Sequence, residues 1–243
     1  MILRQFLHKE PVGVSYLFGC GGRAAAAVVD PAGEIEPYLR AAAESGMRIH
    51  FVIDTHVHAD HISSGRKLAE AARAEYVHWA EANLAFPFKG VRDGEELPLG
   101  NVAATVLHTP GHTPEHICLL VSDRTRSLEP WFILTGHTLM AGDLGRTELA
   151  GSAEQGAKDL FQSMRRLKAL PDYVEVLPGA YAGSVCGRSL SGKPWTSIGF
   201  EKRYNQALRI EDEAEFICFM LKDIPQPPLG AAELRAINAG LTV

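Results

Sequence analysis

Residues 48–61 read RIHFVIDTHVHADH. The β-branched and aromatic side chains of 48–54 predict a buried strand. Three histidines and two aspartates follow at once, within the eight residues 54–61. That adjacency constrains the chain more than any other feature. So many ligating groups beside an apolar strand are costly to bury unless something pairs them. Imidazole and carboxylate together suit zinc or iron. His56 and His58 are two apart, and Asp60 and His61 are adjacent, so a loop can fan them around more than one centre.

A second histidine loop, HTPGHTPEH, carries His108, His112 and His116 about fifty residues on. The strand predicted over 102–112 runs into it, and its Pro-Gly turn presents His112. His137 ends a third apolar run, WFILTGH (131–137). Three strands each leading into a histidine loop place the chemistry on strand ends, where functional residues commonly sit. His8, His50 and His78 stand alone and are assigned structural roles.

The remaining pattern alternates. Strands are predicted over 13–20, 24–30, 75–80, 117–123 and 174–180, with a short hairpin element at 94–100. Helices are predicted over 34–47, 64–74, 153–170 and 211–223, the last closing the fold. Strands mixed with peripheral helices define an α/β class in which helices cover sheets. Residues from about 183 to 205 are rich in Gly, Ser and basic side chains and show no period, so a long functional loop is expected there. No repeat or linker interrupts the chain, and one domain over 1–243 is the simplest organisation.

Composition narrows the partners. The net charge of −5 gives no footprint for nucleic acid. No apolar run is long enough to span a bilayer. The N-terminus lacks the pattern of a secretory signal, and the expected location is cytoplasmic. The four cysteines, at 20, 118, 186 and 218, form no CxxC pair, so a thiolate zinc site is not expected. Cys186 differs from the others in lying within a glycine-rich stretch.

THVHADH resembles the HxHxDH signature of the metallo-β-lactamase superfamily, and HTPGHTPEH is similar to its second histidine motif. The order of elements also fits that superfamily's four-layer αββα sandwich over most of the chain. GDLGRTEL (142–149), AGSVCGRSLSGKP and SIGFEKRYN resemble the glyoxalase II and persulfide dioxygenase branches, the dioxygenase side above all. The resemblance implies His56, His58 and His112 at a first metal position and Asp60 and His61 at a second. In persulfide dioxygenases one iron is held by the counterparts of His56 and His112 together with an aspartate.

The sequence departs from this pattern twice. The aspartate of the family's TGD turn is replaced by His137, and the terminal histidine of a PGH turn by Ala180. Asp143 lies six residues beyond His137 and is not its positional equivalent. Alanine cannot ligate, so the second position is expected to keep only Asp60 and His61, too few donors to retain an ion. The first position becomes all-imidazole: His56, His112 and His137, with His58 close by. His108, His116 and Asp143 are expected around it. One Fe(II) is the expected cofactor, with zinc the alternative.

The resemblance then implies oxidation of a small persulfide, such as glutathione persulfide, by O2 to sulfite, with no nucleic-acid or membrane partner and a homodimer possible. Arg146, Tyr181, Lys193 and Arg203 are the candidates for contacting the substrate's carboxylates and lining its pocket. The alternatives are a glyoxalase II-like thioesterase, or a non-catalytic ligand-binding or redox-sensing protein with Cys186 as its reactive thiol.

Overall fold

A computed structural model of the chain describes residues 1–222, 224, 226–227 and 229–241. The chain opens with three strands, β1 (Ile2–Lys9), β2 (Val12–Cys20) and β3 (Ala25–Val29). Helix α1 (Glu36–Glu44), β4 (Arg48–Ile53), α2 (Gly65–Ala72), β5 (Glu75–Trp79) and β6 (Lys89–Val91) follow. These six strands form one sheet in sequential order, antiparallel over β1–β3 and parallel from β3 to β6.

Next come β7 (Glu96–Leu99), β8 (Val102–His108), β9 (Ile117–Asp123) and β10 (Phe132–Gly136). A two-stranded hairpin pairs β11 (Leu139–Met140) with β12 (Asp143–Leu144). Helix α3 (Ala153–Lys168), β13 (Glu175–Pro178), β14 (Thr196–Ser197), α4 (Ile198–Tyr204), α5 (Glu213–Leu221) and α6 (Ala231–Ala239) complete the described strands and α-helices. The second sheet runs β14-β13-β10-β9-β8-β7, with β10 and β13 parallel.

Side-chain alternation builds the layers. In β2, Val14, Tyr16 and Phe18 enter the core between the sheets, while Leu17 points to the opposite face. In β9, Ile117, Leu119 and Val121 enter the same central core, and Cys118 faces outward. Leu17 joins Tyr38 of α1 and Leu68 of α2 in one outer core. Cys118 and Ile133 join Leu160 and Met164 of α3 and Phe216 of α5 in the other. Helices, sheet, sheet and helices therefore stack in the four layers of an αββα sandwich, as expected.

The predicted strands and helices are present with ends shifted by a few residues. The stretch expected to be an irregular loop contains β14 and α4, whose start is capped by Ser197 Oγ accepting from Phe200 N–H. The helix expected over 211–223 is α5, capped by Asp212, and Asp223 lies outside the described residues. Helix α6 was not foreseen. Among the described residues, no helix is long and apolar enough to cross a membrane.

Candidate metal centre

The ends of three strands converge. β4 leads into residues 54–61, β8 into the loop carrying His112, and β10 into His137. A bond from Ile117 N–H to Thr55 O, 2.9 Å, ties the first of these loops to the second sheet. His56, His112 and His137 are all buried, and each offers a ligand atom within 4.8 Å of the other two.

Hydrogen bonds set which nitrogen is free. Thr55 donates through N–H and Oγ1–H to the Asp30 carboxylate, at 2.7 and 2.9 Å. Its hydroxyl proton being spent, Thr55 Oγ1 accepts from His56 Nδ1–H at 2.9 Å. The His56 Nε2 lone pair is then left buried without a partner. His112 Nδ1–H donates to Arg146 O at 2.7 Å, which leaves its Nε2 unprotonated. His137 donates its backbone N–H to His116 Nε2 at 3.2 Å, and its side-chain Nδ1 is buried and unpartnered. Oriented imidazoles with an outer hydrogen bond on the far nitrogen are the usual build of a metal site.

Burial and the neighbouring imidazoles keep the group neutral. His56 is pushed well below its ordinary value, first by burial and then by His58. Burial and the neighbouring His137 imidazole bring His112 down to about 3. His137 is lowered chiefly by burial. Three neutral imidazoles converging with orphaned buried nitrogens fit a divalent transition ion.

Two close approaches hold the loops. Gly111, with φ +142°, lies where a Cβ would sit 2.5 Å from Leu160 Cβ and 2.6 Å from its Cα. A Cβ on Gly136, φ +47°, would meet Thr55 Oγ1 at 2.5 Å and His116 Nε2 at 2.6 Å. Only glycine lets each histidine loop press so close to its neighbour.

His58 lies beside His56 as expected, their ring centroids 4.2 Å apart, and it also approaches two carboxylates. Its Nε2 lies 3.3 Å from Asp30 Oδ1, an ion-pair contact whose geometry falls short of a hydrogen bond, and its Nδ1 lies 3.8 Å from Asp60 Oδ1. Burial opposes charge on His58, but Asp30, with Asp54 and Asp60 beyond, outweighs it and lifts the imidazole to about 9. Asp30 was not singled out in the sequence, where it only ends an apolar strand.

His116 lies fully buried, its ring stacked on His56 at 5.0 Å. Since its Nε2 accepts from His137, its Nδ1–H faces Thr138 and Thr109 Oγ1 at 2.9 and 3.1 Å. His108 stacks on Trp79 at 4.0 Å instead, with its Nε2 2.8 Å from Pro114 O. Asp143 accepts backbone N–H bonds from Arg188 and Ser189, so it anchors the turn after Cys186.

The candidate substrate residues are otherwise engaged. Arg146 is buried, paired with Glu148 and donating to Val185 O and Gln226 O. Tyr181 donates to His8 O at 2.8 Å. Lys193 and Arg203 are exposed, over Trp195 and Tyr204 at 5.1 and 5.8 Å.

Beside Asp60, the anchored turn brings in Cys186, and one ligand atom each of Asp60, His137 and Cys186 lie within 4.8 Å of one another. Cys186, weighed above as a reactive thiol, is 1 % exposed, and burial pushes it well above its ordinary value. Helix α6 supplies the residues that sequence reasoning missed. Asn238 Nδ2 donates to His58 O and His61 O at 2.9 and 2.7 Å, and its Oδ1 accepts from Ser63 N–H at 2.9 Å. Arg235 donates to Val57 O at 2.7 Å and pairs with Glu115, which accepts from Val57 N–H.

A sequence model of the metallo-beta-lactamase superfamily matches residues 9–179, and the chain belongs to that superfamily, most of whose members are metal-dependent hydrolases or oxidoreductases. Its neighbours fit the glyoxalase II and sulfur dioxygenase-like branch. It is similar to a metallo-beta-lactamase from Staphylococcus aureus, 35 % identical with a TM-score of 0.92, over 98 % of this chain and 72 % of that one. It is also similar to ETHE1 from Myxococcus xanthus, 33 % identical with a TM-score of 0.84, over 99 % of both chains. A hydroxyacylglutathione hydrolase from Methylococcus capsulatus is 36 % identical over 163 residues, 66 % of this chain. The match spans only 59 % of that hydrolase's length.

Proposed function

We propose that this chain holds one iron on His56, His112 and His137 and oxidises a small persulfide of the glutathione persulfide class with O2. Persulfide, O2 and water would give thiol and sulfite. The observation that carries this reading is the buried all-imidazole trio, with Ala180 at the turn where a hydrolase of two metals would keep a further histidine. The likeness to ETHE1 from Myxococcus xanthus over nearly the whole chain supports it.

Ferrous iron, when bound, supplies electrons and the coordination positions that bring a sulfur anion and O2 together. The chain's own part is orientation. Asp30, through Thr55, fixes the tautomer of His56, and Arg146 O fixes that of His112. His116 holds the backbone of His137.

The likeness to the hydroxyacylglutathione hydrolase favours a second reading, metal-dependent hydrolysis of a glutathione thioester. One experiment separates the two. Iron-loaded protein is given glutathione persulfide in an oxygen electrode and, separately, S-lactoylglutathione in a thioester assay. Oxygen uptake matched by sulfite supports the oxidation. Thioester cleavage without oxygen uptake replaces it with the hydrolase.

A further inference from the structure

Cys186, Asp60 and His137 each present a ligand atom within 4.8 Å of the other two. This group overlaps the all-imidazole trio only at His137. The thiol comes from the stretch where no regular element was expected, and it is held there rather than merely near. Arg146 N–H donates to Cys186 O at 3.2 Å, and Cys186 N–H to Ser184 Oγ at 3.2 Å. Asp143 clamps the next two residues. The same Arg146 peptide receives His112 Nδ1–H through its carbonyl, so one backbone unit positions both His112 and the thiol. The His137 Nδ1 atom is buried and without a hydrogen-bond partner, so it is open to a ligand at this junction as well as at the trio.

We propose that Asp60, His137 and Cys186 form a metal position of their own, suited to a thiophilic divalent ion such as zinc, with the Cys186 thiolate standing in for the imidazole absent at Ala180. Two arguments favour that ion. Thiolate with imidazole and carboxylate is a donor set for zinc, whereas imidazole alone discriminates little between zinc and iron. One carboxylate and one thiolate also cancel the ion's two positive charges, which the three neutral imidazoles leave uncompensated in a buried place. On binding, the Cys186 Sγ–H bond gives its proton to solvent, so zinc uptake releases one proton. The two positions share His137, so zinc here withdraws that imidazole from the trio. This inference stands apart from the persulfide reading and does not use its activity as a readout.

The test is zinc-edge X-ray absorption on metal-free full-length chain reloaded with one equivalent of zinc without air. A sulfur scatterer at about 2.3 Å is expected in the wild type. It should persist in His56→Ala, which breaks only the trio, and vanish in Cys186→Ser. Should the serine variant fail to fold, Cys20→Ala, Cys118→Ala and Cys218→Ser settle the assignment, each expected to keep the sulfur. A shell of nitrogen and oxygen alone in the wild type overturns the proposal. So does sulfur that survives in folded Cys186→Ser or disappears with one of the other three cysteines.

Discussion

Asn238→Ala removes a side chain far from the trio in sequence yet bound to its first loop. The wild-type amide makes three hydrogen bonds, to His58 O, His61 O and Ser63 N. Each is worth ~1 kcal/mol net, and an acceptor left buried without a donor costs more. Asn238, His61 and Ser63 are only half-buried, so water replaces part of what is lost. A total on the order of 2–3 kcal/mol remains, and its effect falls on the order of residues 57–63. If the loop is ordered chiefly when metal is bound, affinity falls by roughly 30- to 150-fold. That agrees with what outer partners of metal ligands usually contribute. The assay is competition against a fluorescent chelator, with circular dichroism to verify the fold. A folded variant whose metal affinity stays within about twofold of wild type would refute the idea that α6 latches the metal loop.

Three further outcomes follow from the same geometry. In metal-free protein, the His58 proton is held with a pKa of about 9 against 6.5 in the unfolded chain. A raised value gives stability that is complete below pH 6.5 and lost as pH climbs through 9, on the order of 3 kcal/mol in all. Urea midpoints of wild type should fall across that window and those of His58→Gln should not; equal slopes contradict the ion pair. Gly111→Ala should cost about 1–3 kcal/mol and weaken metal binding, because the new methyl meets the Leu160 backbone. Trimming Leu160 should not rescue it, and full rescue would show the clash to be confined to the side chain. Charge reversal at Lys193 or Arg203 should leave KM within about twofold, as both are exposed and lie on their own aromatic neighbours. A tenfold rise for either would return that residue to the substrate site.

The four layers were legible because alternation along β2, β8 and β9 and the helical spacing of α3 are local signals. The convergence of His56, His112 and His137 was legible too, since each follows its own apolar strand. What escaped the reading depends on long loops closing. Asn238 meets His58 across 180 residues, and Asp143 pins Arg188 across 45. No pattern within 183–191 announces that Cys186 is buried beside Asp60. His58 shows the same limit at short range. Its place in HxHxDH suggests a ligand, and its ring does lie 4.2 Å from that of His56, but the approach of Asp30, brought alongside by the β3–β4 pairing, is not written in the motif.

The account rests on His137 serving as an imidazole ligand where the family resemblance implies a carboxylate. Iron content per chain, measured on wild type and His137→Ala reconstituted with ferrous iron without air, tests this most directly. The account predicts about one iron per chain in the wild type and a small fraction of that in a folded His137→Ala. Equal iron in the two proteins would remove His137 from the metal and with it the all-imidazole centre.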